Sequence, residues 1–336
     1  LRVMRGVGPA VLVTVAFAAL VLALFFGGGA TAPLLVDPGA AVRFGLPIAT
    51  LVVNLSAAVT LGALVLALFA LRPSTPEFRR TLDFAAAAAA LLTVSLAATG
   101  FFSFLTVTAL PISLDSRFGQ ILGQFLVSVP LGQSWLMTTM IAATVTVLCF
   151  AVRNLTVLAF VGILAVVMLI PMAQQGHAAG TAGHDAATTA LFFHLVFAAV
   201  WLGGLVVISV LAKQLDNERL LDVVRRYSSI ALVCFVVVAA SGYLSAELRI
   251  GTFDALLTPY GVLVLVKAGA LILLGLIGAL HRRYLIGKWE RTRSRLFFWG
   301  LVLGELVFMG ITSGVAVALA RTATPISEQL PRLQSP

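Results

Sequence analysis

Charged residues are scarce: Asp, Glu, Lys and Arg make up 10% of the 336 residues, whereas an average soluble domain carries about 25%. That shortage, with 60% hydrophobic residues and a mean hydropathy of +1.08, excludes a soluble globule. Cysteine is nearly absent too. Cys149 and Cys234 each sit inside an apolar run, so there is no disulfide framework and no CxxC pair, and both thiols read as buried and inert. The chain also lacks a P-loop, a GxSxG elbow and an HExxH pair. No nucleotide-driven pump, acyl hydrolase or zinc protease can be argued without them, and no enzyme is expected. The short alternating segments of a membrane β-barrel are missing as well.

What the chain has is long apolar runs. Nine of them stand out, near 9–27, 46–71, 82–105, 132–152, 154–173, 188–212, 227–248, 259–281 and 296–319. Each matches the roughly 20 residues that carry a helix across the hydrocarbon core, and helices satisfy their own backbone in lipid. The expected fold is an all-α polytopic membrane bundle of about nine transmembrane helices in a lipid bilayer. The first run is kept as a span, because its apolar stretch is long and no cleavage site follows it. The net charge of +9 is then an orientation signal and no sign of nucleic acid. Of the 22 Lys and Arg, 16 lie at the N-terminus and in the loops on its side, 5 lie on the other side, and Lys267 is inside a span. The positive-inside rule places the N-terminus in the cytoplasm and the C-terminus outside it.

The organisation expected is a five-helix membrane region over 1–173, an extracytoplasmic histidine loop over 174–187, a four-helix core over 188–320 and an exposed tail or linker over 321–336. An amphipathic segment near 117–127 fits the membrane surface.

Three of the four histidines cluster around the loop. His177 and His184 lie in it, and His194 enters the following span about 9 Å below its outer end, at 1.5 Å per residue. Imidazole is the commonest metal ligand and a proton carrier. The bland alternative for His194 is a neutral ring bonded to a neighbouring helix. Met168 and Met172 are one turn apart at the outer end of the fifth span, and Met309 lies deeper in the ninth. Thioether with imidazole suits Cu(I) better than hard cations, although Met is also a routine filler of apolar cores.

Two charges inside spans, Lys267 and Glu305, are candidates for an intramembrane charge or gate. They sit at different depths, yet their long side chains invite an ion pair, either structural or functional. Trp201, Gly203 and Gly204 read as packing. Gly300 and Gly304, with Gly310 and Gly314, are expected on one face of the ninth span, where small residues let helices approach. Only His194 is deep and His281 lies at the opposite face, which argues against a bis-histidine haem between spans.

The chain resembles the CopD copper-resistance family. The motifs are Phe192-Phe193-His194-Leu195 running into Val200-Trp201-Leu202-Gly203-Gly204, then Arg226-Tyr227-Ser228, Ser241-Gly242 and Leu257-Thr258-Pro259-Tyr260-Gly261. Val266-Lys267, Arg282-Arg283 and Glu305 complete the series. The resemblance covers about 188–320; the first five spans match only as an apolar membrane region. His281 stands where an amide or similar polar residue is expected, so no role is carried onto it.

The resemblance implies copper handling at the bacterial inner membrane, with copper moving from the extracytoplasmic side toward the cytoplasm. It also implies a CopC-like periplasmic copper-binding partner. Some similar proteins carry a second membrane domain like the CtaG oxidase-assembly factor, so the chain can be read as the CopD half of such a fusion. Two other readings stay open. One is a copper-delivery module for cytochrome oxidase without transmembrane transport. The other is a structural membrane subunit without metal.

Overall fold

The structure is a computed structural model that describes residues 4–32, 37–73, 75–174, 184–250, 253–285 and 292–325. Those residues form helices, turns and short irregular connections, and no strand occurs among them. Among the described residues, nine helices are long and apolar enough to cross a membrane, from Val7–Phe26 to Phe297–Leu319. The protein is a multi-pass membrane protein.

In chain order the helices are α1 (Met4–Phe26), α2 (Ala40–Phe69), α3 (Pro76–Thr108), α4 (Ser116–Ser128), α5 (Pro130–Ala151), α6 (Leu155–Val167), α7 (Leu169–Gln174), α8 (His184–Leu211), α9 (Asn217–Ile250), α10 (Pro259–Leu280) and α11 (Thr292–Leu319). Their starts follow local chemistry. Thr75 and Thr258 accept backbone N–H groups ahead of Pro76 and Pro259 at the first helical turns of α3 and α10. Asn154 caps α6 in the same way.

The fifth span is broken into α6 and α7, and the cause is Pro171. Its ring has no N–H and crowds the carbonyl four residues back, which is Val167, the last residue of α6. The amphipathic segment is α4, capped by Asp115, whose carboxylate accepts the Phe118 N–H at 2.7 Å. That bond holds the Asp115 carboxyl below the usual carboxylate range. Phe118 and Phe125 of α4 dock on Phe104 of α3, with ring centroids 5.5 and 5.4 Å apart. Gly119 and Gly123 face open space.

The main core gathers α2, α3, α5, α6, α8, α9 and α11. Its tightest point is the crossing of α2 and α8. A Cβ added at Gly62 would meet the Gly203 and Gly204 backbone, and one at Gly203 would meet the Ala58 carbonyl. Gly204 leaves room for the ring of Tyr227 on α9 in the same way. A second close contact joins α11 to α1, where Gly310 and Gly314 lie against the α1 backbone at Leu12, Ala16 and Leu20. The first span is thus an integral wall, with Ala16 and Leu20 fully buried.

One expectation about α11 fails. Gly310 and Gly314 sit in a helix crossing, but Gly304 faces open space and Gly300 is half-buried. At about 100° per residue, the six-residue step from 304 to 310 turns the second pair far from the first, so the four glycines do not share one face.

Gly203→Leu is expected to destabilise the protein by about 1–3 kcal/mol or to prevent assembly, because backbone cannot yield to a side chain. Gly304→Ala is expected to be neutral. Thermal unfolding of detergent-purified variants checks both.

Candidate functional site

Chemistry-bearing side chains of the second half collect at two levels of the bundle, near opposite ends of α8. The first level is His194. Its Nδ1 lies 3.0 Å from Ser241 Oγ on α9. The Ser241 hydroxyl donates its only proton to the Val237 carbonyl at 2.7 Å. With the hydroxyl proton on a carbonyl, Ser241 Oγ accepts and His194 donates through Nδ1–H. In that tautomer the Nε2 lone pair is the donor atom a metal would take, since the bond made by one ring nitrogen decides the role of the other. Gly242 makes the seat: a Cβ there would lie 3.7 Å from His194 Cε1.

The second level is a chamber of about 390 Å³ between α8, α9, α10 and α11, within the size range of small-ligand pockets. Trp201, Leu205, Tyr227, Phe235 and Val302 supply much of its apolar wall, while Gly275 and Gly278 thin the α10 side. Its polar end holds His281 and Glu305, with Arg282, Arg283 and Ser228 beside them. His281 Nδ1 and Glu305 Oε1 are 3.1 Å apart, and both side chains are about nine-tenths buried. The imidazole lies against the Phe298 ring, centroids 4.6 Å apart, and its Nε2 faces the Phe298 carbonyl at 3.4 Å. From His281 to Leu285 the backbone runs as a π-helix, a form common at functional sites.

This changes the partner expected for Glu305. Lys267 does not pair with it; His281 does. Lys267 lies fourteen residues before His281 along the same helix, about 21 Å at 1.5 Å per residue, beyond the reach of its side chain. Lys267 is half-buried in the other half of α10, and no ion pair to it occurs among the described residues. His281 was the residue to which the sequence assigned nothing. The signal that could have found it is its place at the end of α10, next in space to the middle of α11.

The other expected site residues are dispersed. Trp201 is packed edge-on to Phe235 at 5.9 Å, and its carbonyl accepts the Tyr227 hydroxyl. Met168 is fully buried and Met309 nearly so, both in the main core, with Met172 packed at its edge. His177 lies outside the described residues. His184 opens α8, and its side chain lies outside them as well. No group of three or more His, Cys, Asp or Glu side chains is placed to hold a metal among the described residues.

Comparison with known proteins agrees with this architecture at both ends. The family model of copper resistance protein D matches residues 221–319, and that of the copper resistance protein D-like N-terminal domain matches residues 41–188. The chain belongs to the copper resistance protein D family. The likeness reaches α2 to α7, where the motifs alone carry none, and His194 falls between the two matched segments. Among curated relatives, copper transport protein CutJ of Bacillus subtilis (strain 168) is 29% identical over 170 residues, covering 48% of this chain and 30% of that protein. Inner membrane protein YebZ of Escherichia coli (strain K12) is 28% identical over 201 residues, covering 58% of this chain and 69% of that protein. The chain thus spans less than a third of CutJ and about two thirds of YebZ. No solved structure matches it significantly.

His281→Ala is expected to lower stability by about 1–3 kcal/mol, because it leaves a buried carboxyl without its partner. Lys267→Met leaves the His281–Glu305 pair intact and is not expected to lower the melting temperature. Thermal unfolding in detergent separates the two.

Proposed function

We propose that this chain carries copper across the bacterial inner membrane, taking Cu(I) at the extracytoplasmic face and passing it toward the cytoplasm. The observation that supports this most is His194, an imidazole within a membrane-crossing helix whose Nδ1 is tied to Ser241, an arrangement that suits Nε2 as a metal donor. Family membership supplies the metal, and the name of CutJ supports transport.

In this reading His177 and His184 collect copper at the outer face, with Met168 and Met172 behind them, and hand it to His194. Trp201 lies seven residues further along α8, about 10 Å deeper, where the chamber wall begins. Copper leaving His194 therefore meets aromatic faces, which favour cations. Met309 lies one turn beyond Glu305. Lys267 repels a cation and keeps it on the His194 side of α10. The orientation follows the Lys and Arg distribution. A CopC-like protein is the partner this reading calls for at the outer face, and a CtaG-like domain or the oxidase is its counterpart for delivery.

The test is cellular copper in a host without its own uptake route. His194→Ala is expected to bring accumulation to the level of cells lacking the protein while the variant stays in the membrane. Changing His177 and His184 together is expected to lower uptake only at scarce external copper. Unchanged accumulation in His194→Ala contradicts the proposal. Lost oxidase activity with normal cytoplasmic copper would instead assign the chain to delivery at the outer face.

A further inference from the structure

The His281–Glu305 pair has a proton-holding geometry that the copper route described above does not use. Both His281 nitrogens face acceptors: Nδ1 the Glu305 carboxylate at 3.1 Å, and Nε2 the Phe298 carbonyl at 3.4 Å. With Nε2–H directed at the carbonyl, a single proton remains to be shared between Nδ1 and Oε1. The pair is neutral with that proton, whether it is written as imidazolium with carboxylate or as imidazole with carboxylic acid. Without it the pair carries one negative charge.

The surroundings make that charge matter. The titratable and charged groups facing the chamber are few among the described residues: Tyr227 from α9, His281, Arg282 and Arg283 from α10, and Glu305 from α11, with none from α8. Tyr227 is committed to the Trp201 carbonyl. Arg282 and Arg283 are exposed and make the mouth positive. A copper ion entering an apolar chamber behind two arginines meets a large desolvation cost unless a negative charge appears. Among the described residues the group placed to supply one is the pair, by releasing its proton.

We propose that the His281–Glu305 pair is a proton-binding site whose occupancy alternates with that of copper in the adjoining chamber, so that one proton leaves for each Cu(I) that passes. The inference rests on copper passage through the bundle. One cation enters and one proton departs, no electron moves, and the charge inside the membrane is unchanged. The pair sits at the π-helical end of α10, where it takes its proton from the cytoplasmic side; copper arriving from the His194 side displaces that proton toward the side copper came from, so the two cross in opposite directions.

The experiment uses the full chain in vesicles of defined internal and external pH, with Cu(I) uptake and internal pH followed together. Wild type is expected to move one proton out per copper in. For such an exchange, each pH unit of gradient, acid inside, raises the steady-state copper ratio by about tenfold. Glu305→Gln and His281→Gln are expected to lose the proton flux and the gradient dependence while any remaining copper flux persists, and Glu305→Asp is expected to restore both in part. The Asp variant keeps the test sound if Gln disturbs folding. Wild-type copper uptake that moves no protons and ignores the gradient overturns the coupling and leaves transport standing, as does unaltered proton flux in both Gln variants. Wild type that moves no copper under either gradient overturns the transport reading, and the coupling with it.

Discussion

Backbone meets backbone where α2 crosses α8, with Gly62 set against Gly203 and Gly204. No side chain separates the helices there, so the contact fixes both their spacing and their rotation. The rest of the bundle depends on that rotation. It turns His194 toward Ser241 on α9 and sets the Trp201 carbonyl where Tyr227 can reach it. In lipid there is no hydrophobic drive to bring helices together, so close packing of small residues has to do it.

The two polar levels follow from the same constraint. Every ionisable side chain held between helices needs a partner, because the hydrocarbon offers none. His194 finds Ser241, which in turn bonds the Val237 carbonyl one helical turn back. Glu305 finds His281. Between the levels lies an apolar, aromatic chamber. An imidazole stands near one end and an imidazole–carboxylate pair toward the other.

The spans were legible because an apolar run of membrane-crossing length is a strong signal, and all nine recur as helices suited to crossing. The short helix at 116–128 was legible from its amphipathic pattern, and the membership of the second half from its motifs. Pairing between spans was not legible. Lys267 and Glu305 were natural partners by charge, but charge says nothing about which stretch of α10 lies beside which turn of α11. His281 was given no role because it stands where the resemblance leads one to expect an amide or similar polar residue. The glycines of α11 show a related limit: GxxxG spacing marks a face, but two such motifs six residues out of step mark two faces, and only Gly310 and Gly314 meet another helix.

The most direct test of the account is Cu(I) titration of the detergent-purified full chain, wild type beside His194→Ala. The account predicts specific Cu(I) binding in wild type that is weakened at least tenfold, about 1.4 kcal/mol, when the imidazole is removed, with Ser241→Ala intermediate because it frees the ring without deleting the donor. Equal binding by wild type and His194→Ala, or no specific copper in wild type, would contradict it.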